Sequence, residues 1–208
     1  MIRCVVFDFD GTLVDSNRIK IQAMPQAAAT VAGGEAAWGE VMRQGQATDR
    51  YDIYRRVAQR LGLDEAAGAA MAEVYTRICH QAIAAAPEIP GAEALLLWLK
   101  ERGIPCHINS ATPHEPLLEV VEARGWRDHF AGVWGGPESK EEILRRILAL
   151  EGIAPEALLM VGDGIDDHRA AQEIGCPFVG LRHDHSTLPR KIDAASGLEV
   201  VREWVREG

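Results

Sequence analysis

The sequence lacks the features that would place the protein in a membrane, on nucleic acid or in an oxidising compartment. No apolar run approaches the roughly 18 residues that a membrane-spanning helix needs. Lysine and arginine number 22 against 31 aspartates and glutamates, and the resulting net charge of −9 disfavours nucleic acid and anionic membranes as partners. The four cysteines form neither a CxxC pair nor a zinc-ligand spacing. We therefore expect a cytoplasmic protein with reduced cysteines that binds neither nucleic acid nor membrane.

Short apolar runs alternate with helical patterns along most of the 208 residues. Each run is bounded by turn residues, which is typical of parallel strands that are covered on both faces. The apolar runs span residues 2–9, 105–109, 131–134, 158–161 and 178–181. The helical patterns, each followed by a glycine that marks a helix end, span residues 93–102, 114–124 and 141–151. This alternation predicts an α/β fold with a doubly wound parallel sheet.

One long stretch interrupts the alternation. Between residues 15 and 86 no strand pattern stands out, and clusters of alanine, which favour helix, recur. Prolines at and after residue 87 close the stretch. We therefore predict an all-helical domain over residues 16–86, inserted into an α/β core that is built from residues 1–15 and 87–208.

The first strand is followed by a pair of carboxylates, in Asp8-Phe9-Asp10-Gly11-Thr12. This is the carboxyl end of a strand, where an open parallel sheet binds its ligands. Residues two apart on a strand share a face, so both carboxylates can enter one crevice. Two close like charges need a cation between them, and Mg²⁺ prefers oxygen ligands. The pattern predicts a magnesium site, although a turn with two solvated aspartates would have the same residues.

Two further positions suit a phosphate group. Ser110 follows the second strand, where its hydroxyl and the N–H of Ala111 could hold a phosphoryl oxygen at a helix N-terminus. Ser110 could also cap that helix, although Thr112 is the better candidate for the N-cap. Lys140 precedes a later helix and is the candidate cation of the core, because the chain has only four lysines. A surface lysine is the alternative interpretation of Lys140.

At these positions the sequence resembles the haloacid dehalogenase superfamily. Residues 8–16 match the first motif of that family without a gap. Ser110 and Lys140 stand where its second and third motifs have a hydroxyl and a basic residue. The resemblance extends over the predicted core and indicates the branch of phosphoglycolate phosphatases and β-phosphoglucomutases, which carry a small helical cap.

Residues 161–167, at the end of the fourth predicted strand, resemble the fourth motif of the family. Within it, Asp163 aligns with the magnesium ligand of the family. Asp167 aligns with a second acid, which commonly orients metal-bound water or the lysine. Asp166 is an additional acid whose role the pattern leaves open.

The resemblance implies an aspartyl-phosphate mechanism. Asp8 would be the nucleophile, and Asp10 would protonate the leaving alcohol and then activate water. Asp8, the backbone carbonyl of Asp10, and Asp163 would hold Mg²⁺, which neutralises the phosphate. The residues implied to bind the phosphoryl group are Ser110, Ala111 and Lys140, and those implied to support the site are Gly11, Thr12, Asp167 and Asp166.

The predicted function is therefore magnesium-dependent hydrolysis of a small phosphate monoester, such as phosphoglycolate or a sugar phosphate. The partner would be this phosphorylated metabolite, and the protein would be a monomer or a homodimer. Asp10 favours a phosphatase or a mutase, because dehalogenases of the family lack this acid. A phosphomutase of the β-phosphoglucomutase type is the first alternative. A non-catalytic phospho-acceptor or ligand-binding module is the second.

Two weaker signals lie outside these motifs. Residues 45–51 are the candidate loop of the predicted cap that reaches the substrate. In this loop Arg50 could pair with a second anionic group, and Tyr51 could pack on a sugar or acyl portion. An exposed arginine on a helix surface is the alternative. His183 and His185 follow the last predicted strand and could bind a metal, but without an identifiable third ligand they indicate a polar loop.

Overall fold

The chain forms two compact units in the computed structural model, which describes residues 1–45 and 49–207. One unit comprises Met1–Ser16 and Ala86–Gly208, and the other comprises Asn17–Ala85. The sequence prediction placed these boundaries one residue away, and the roles of catalytic core and cap stay predictions. Among the described residues no helix is both long enough and apolar enough to cross a membrane.

The helices and strands follow the predicted alternation, with small changes at their ends. The strands are β1 (Cys4–Phe7), β2 (Cys106–Pro113), β3 (Gly132–Gly136), β4 (Leu158–Gly162), β5 (Phe178–Leu181) and β6 (Ala194–Ala195). The helices are α1 (Asn17–Ala28), α2 (Gly34–Gln44), α3 (Arg50–Arg60), α4 (Glu65–Ile83), α5 (Ala92–Glu101), α6 (His114–Ala123), α7 (Lys140–Glu151), α8 (Ile165–Ile174) and α9 (Val200–Glu207). Strand β6 and the extension of β2 as far as Pro113 were not predicted.

All strands of the first unit pair in parallel, in the order β3-β2-β1-β4-β5-β6. The predicted parallel α/β fold is therefore confirmed. The chain leaves β1 towards β2 and β3 on one side and then returns to β4 on the other side. The carboxyl ends of β2 and β4 thus flank the end of β1, at the position where open parallel sheets bind ligands.

Strand β1 is buried along its whole length. On one face Cys4 and Val6 belong to the same apolar cluster as Ile143 and Leu144 of α7. Val5 points to the opposite face, because side chains alternate along a strand, and it is fully buried as well. Apolar cover on both faces explains why this strand reads as a continuous apolar run.

The buried imidazole of His107 lies within the apolar sheet, beside the C-terminal end of α7. His107 of β2 is buried, and its Nε2 is 2.8 Å from Oε1 of Glu151, the last residue of α7. The indole N–H of Trp134 donates to Nδ1 of His107 at 3.2 Å. Gly132 makes room for this bond, because a Cβ there would lie 2.6 Å from Trp134 Nε1 and 2.7 Å from His107 Nδ1. Each ring nitrogen of the imidazole therefore has a partner.

The second unit is helical, from α1 to α4, as the alanine-rich stretch predicts. Tyr54 of α3 is fully buried, and its hydroxyl donates to the carbonyl of Met24 in α1 at 3.1 Å. Its ring centroid lies 6.0 Å from that of Tyr75 in α4. Gly68 permits the close approach of α4 to α3, since a Cβ there would lie 3.2 Å from the carbonyl oxygen of Tyr54.

Candidate active site

Three buried carboxylates meet at the carboxyl ends of β1 and β4. Asp8 directly follows β1, Asp163 directly follows β4, and Asp167 lies in the first turn of α8. One carboxylate oxygen from each lies within 4.8 Å of the others. Because Phe7, the last residue of β1, pairs with Val161 one residue before the end of β4, the residues that follow the two strands lie close together. The structure therefore brings Asp8 and Asp163 together, as the strand-end pattern predicts.

Lys140, the first residue of α7, is the cation of this group. Its ammonium donates to Oδ1 of Asp8 at 2.8 Å and also donates to Oδ1 of Asp167. The side chain of Ser139 caps α7 in a capping box with Glu142. This cap fixes the start of the helix and therefore the backbone position of Lys140. One ammonium thus lies among three carboxylates, so acids outnumber ammonium groups in this group.

The pKa values reflect this excess of negative charge. Burial, together with the charges of Asp167 and Asp163, raises the pKa of Asp8 to about 8 against the lowering effect of Lys140. Burial likewise raises the pKa of Asp167. For Lys140, burial lowers the pKa, but the two carboxylates outweigh it and raise the pKa above its ordinary value. A divalent cation fits this set of oxygen donors, since it would supply the missing charge.

The place of Asp167 depends on a glycine at the end of β4. The backbone N–H of Gly164 donates to Oδ2 of Asp167 at 3.0 Å. At Gly162 a Cβ would lie only 2.6 Å from the Cβ of Asp167, so the carboxylate can lie over the strand end only because residue 162 has no side chain. The exposed Asp166 points away from this group, and its carboxylate is 3.6 Å from the guanidinium of Arg169.

Asp10 lies two residues after Asp8, is buried, and has its own hydrogen-bond partners. The hydroxyl of Ser16 donates to Oδ1 of Asp10 at 2.6 Å, and the hydroxyl of Thr112 donates to Oδ2 at 2.9 Å. The prediction that Thr112 caps α6 is wrong. Strand β2 continues to Pro113, which is the N-cap residue of α6, and the Thr112 hydroxyl is bonded to Asp10.

The end of β2 places Ser110 and Ala111 beside β1. Ser110 is buried, and its hydroxyl accepts a hydrogen bond from the N–H of Thr112 at 3.1 Å, whereas Ala111 is exposed. The preceding residue, Asn109, is a functional candidate that sequence reasoning missed. Its amide donates to the backbone carbonyl of Lys140 at 2.9 Å and so holds the first turn of α7. The available signal was a polar residue within an apolar strand, where asparagine is uncommon.

The turn after Asp10 is held by its own backbone. Gly11 adopts a φ of 80°, which a residue without a side chain adopts readily, and its N–H donates to the carbonyl of Val14 at 2.8 Å. Thr12 is fully buried, and its hydroxyl has no hydrogen-bond partner among residues 1–45 and 49–207. Both residues follow Asp10 directly in the chain, and their supporting role stays a prediction.

His183 also reaches this loop, which the interpretation as a polar loop did not anticipate. Its Nε2 lies 3.0 Å from Oδ2 of Asp163 and 3.1 Å from the carbonyl oxygen of Gly11. The hydrogen bond to Asp163 raises the pKa of His183. His185 is exposed, and its backbone N–H donates to Nδ1 of His183 at 3.2 Å.

Arg50 and Tyr51 lie at the start of α3 in the second unit. The guanidinium carbon of Arg50 is 4.8 Å from the centroid of the Tyr51 ring, and Tyr51 is exposed. Nε of Arg50 is buried without a hydrogen-bond partner in the described part of the chain. Residues 46–48 of the predicted substrate loop lie outside the described residues, so the role of this loop stays a prediction.

Comparison with known proteins gives consistent matches. The family model of haloacid dehalogenase-like hydrolases matches residues 2–175. The phosphoglycolate phosphatase of Pseudomonas putida is 30% identical over 218 residues, covering 96% of this chain and 76% of the relative. That of Synechococcus elongatus is 28% identical over 182 residues, covering 86% and 84%. The crystal structure of a β-phosphoglucomutase from Clostridium difficile has the same fold, with a TM-score of 0.71, 18% identity, and coverage of 100% and 98%.

Proposed function

The chain belongs to the haloacid dehalogenase-like hydrolases and is a phosphatase of that family, and we propose that it hydrolyses a small phosphate monoester with Mg²⁺ through a phosphorylated Asp8. One observation carries this proposal. Asp8 is buried at the end of the central strand β1, within reach of Lys140, and it shares its crevice with the carboxylates of Asp163 and Asp167. Such a carboxylate is an oxygen nucleophile, and the neighbouring ammonium together with a bound cation would form the anion site.

In the proposed reaction, Asp8 attacks the phosphorus of the bound ester. A bond forms between its carboxylate oxygen and phosphorus while the bond from phosphorus to the alcohol oxygen breaks. Asp10 gives its proton to the departing alkoxide, which leaves as the alcohol. Asp10 then takes a proton from water as that water attacks the phosphorus of the aspartyl phosphate. The bond between phosphorus and the Asp8 oxygen breaks as the bond to the water oxygen forms, which gives free Asp8 and inorganic phosphate.

The other residues hold the phosphoryl group and the metal. Ser110, the N–H of Ala111, and Lys140 would bind phosphoryl oxygens, whose charge increases in the transition state. Asp8, Asp163 and the backbone carbonyl of Asp10 would hold Mg²⁺. When bound, the ion supplies positive charge that lets the anionic phosphate approach Asp8. Asp167 would keep Lys140 in position through its ion pair.

The substrate class follows from the relatives. Those reported above are named phosphoglycolate phosphatases, so we propose a phosphate ester with a second anionic group. Arg50 is the proposed partner of that group, because its guanidinium has a buried nitrogen without a hydrogen-bond partner in the described chain. The unit Asn17–Ala85 would then be the cap that covers the substrate and excludes water.

The proposal is tested with a panel of phosphate esters. Phosphoglycolate, several sugar phosphates and p-nitrophenyl phosphate are incubated with excess Mg²⁺ or with EDTA, and inorganic phosphate is measured. We expect phosphate release only with Mg²⁺. Isomerised sugar phosphate without released phosphate would instead indicate the phosphomutase alternative.

Asp8→Asn tests the nucleophile. We expect its turnover to fall by at least about a thousandfold, because the amide cannot form the phosphoenzyme. Asp166→Asn is the matched control, since it removes an exposed carboxylate that lies three residues after Asp163 in the chain. Its turnover should stay within about twofold of the wild type. Full activity of folded Asp8→Asn would contradict the proposal.

A further inference from the structure

The loop after β5 is built to hold His183 in one place. The guanidinium of Arg182 donates to the carbonyls of Leu188 at 3.0 Å, Pro189 at 3.2 Å and Ile192 at 2.7 Å, which draws the loop into a closed turn. Leu188 is buried against β5, where a Cβ at Gly180 would lie 2.8 Å from its Cδ1. The loop is therefore anchored by both a charged side chain and an apolar one.

This loop contacts Asp163 at its backbone and at its carboxylate. The hydroxyl of Ser186 donates to the carbonyl of Asp163 at 2.7 Å, and the N–H of Thr187 donates to the same oxygen at 3.1 Å. His183 contacts the carboxylate, with Nε2 at 3.0 Å from Oδ2. Backbone and side chain of the proposed metal ligand are thus held separately.

The hydrogen bonds of the ring define which nitrogen donates. Nδ1 of His183 accepts the backbone N–H of His185 at 3.2 Å, so in this arrangement Nδ1 carries no proton. The proton is on Nε2, which faces Oδ2 of Asp163 and, at 3.1 Å, the carbonyl oxygen of Gly11. One N–H is therefore shared between the loop after β1 and the loop after β4.

We propose that His183 is a positioning residue that sets the Mg²⁺ affinity of the site by orienting the carboxylate of Asp163 and the loop around Gly11. The inference rests on the proposed magnesium site. Its physical basis is that a hydrogen bond to Oδ2 fixes the orientation of the carboxylate of Asp163. The ordering of both loops is then complete before the metal binds, and outer hydrogen-bond partners of this kind change metal affinity by about 10–100-fold.

The test is calorimetric titration of the metal-free protein with MgCl₂ alone. We expect His183→Ala to raise the Kd for Mg²⁺ by about tenfold. His183→Gln should stay within about threefold of the wild type, because its amide nitrogen lies at the same distance along the side chain and can donate to Oδ2. The matched control is His185→Ala, which removes an exposed imidazole but keeps the backbone N–H, and its Kd should be unchanged.

The possible outcomes distinguish a failure of the proposed role of His183 from a failure of the proposed magnesium site. Wild-type protein that binds no Mg²⁺ would overturn the magnesium site and this inference with it. Wild-type protein that binds Mg²⁺ as tightly as folded His183→Ala would overturn only the role of His183. Equal losses in the alanine and glutamine variants would also overturn it, because they would indicate a general need for the imidazole in the fold. Thermal unfolding in EDTA identifies the variants that fold.

Discussion

Helix α7 carries an acid–base cluster at each end, and the two clusters differ in their charge balance. At its first residue, Lys140 faces Asp8 and Asp167, with Asp163 beside them. At its last residue, Glu151 faces a single imidazole, that of His107. The first cluster has three acids for one ammonium and one imidazole, that of His183, whereas the second has one acid for one imidazole.

This difference separates a site that binds ligands from one that stabilises the fold. At the Glu151 end the protein supplies a partner for each ring nitrogen of the imidazole, and an internally satisfied polar group contributes to structure. At the Lys140 end the protein buries more carboxylates than it has basic groups to pair with them, and unpaired ions are costly when buried. A bound cation would lower the cost of keeping these carboxylates charged.

The largest effect is expected from Lys140→Met, which removes the ammonium of the first cluster. Without Mg²⁺ the free energy of unfolding should fall by about 3 kcal/mol, because buried carboxylates lose their partner. Turnover should fall by at least about a hundredfold, since a cation that binds the phosphoryl group is lost. Urea unfolding and phosphate release measure the two quantities.

Added Mg²⁺ should narrow the stability difference between wild type and Lys140→Met, because the ion replaces part of the missing charge. Lys100→Met is the control, as it removes an exposed lysine. A stability loss in Lys140→Met that Mg²⁺ leaves unchanged would remove the distinction between the two ends of α7.

A smaller effect is expected from Glu151→Ala at the other end. The free energy of unfolding should fall by about 2 kcal/mol, since the N–H of buried His107 loses its acceptor. Turnover and the Kd for Mg²⁺ should stay within about twofold of the wild type. Glu151→Gln, which keeps an acceptor oxygen, should recover most of the stability, and a Mg²⁺ affinity that changed in either variant would show the clusters to be coupled.

The smallest expected effect is a pH dependence of the free energy of unfolding that arises from His107. Burial lowers its pKa in the folded protein, while the unfolded chain has the ordinary value of about 6.5. The contribution of neutral His107 is therefore fully present above about pH 6.5 and is lost as the pH falls towards the lowered folded value. Between pH 6.5 and 5.5 the wild type should lose about 1 kcal/mol more than His107→Gln in urea unfolding. Parallel pH profiles of the two proteins would contradict this assignment.

The sequence was sufficient to predict the fold and the convergence of Asp8 and Asp163, because the ends of the strands can be recognised in the apolar pattern, and the family resemblance added Lys140. In a parallel sheet, adjacent strand ends bring distant residues together by a general rule. His183 and Gly11 are 172 residues apart, and His183 lies in a loop without any periodic sequence pattern. The sequence around either residue therefore gives no signal that predicts their contact. The bond from Thr112 to Asp10 was missed for the related reason that the end of β2 could not be located to the residue.

The absent side chain at Gly162 makes the whole arrangement vulnerable to a change that alters no charge. A single methyl group there would collide with Asp167 and push the first turn of α8 outward. Lys140 would then lose one of its two anchors, although every acid and base in the crevice remained in the chain. Gly162→Ala would therefore abolish activity through a steric clash alone. A mutational scan restricted to charged residues would not detect this dependence.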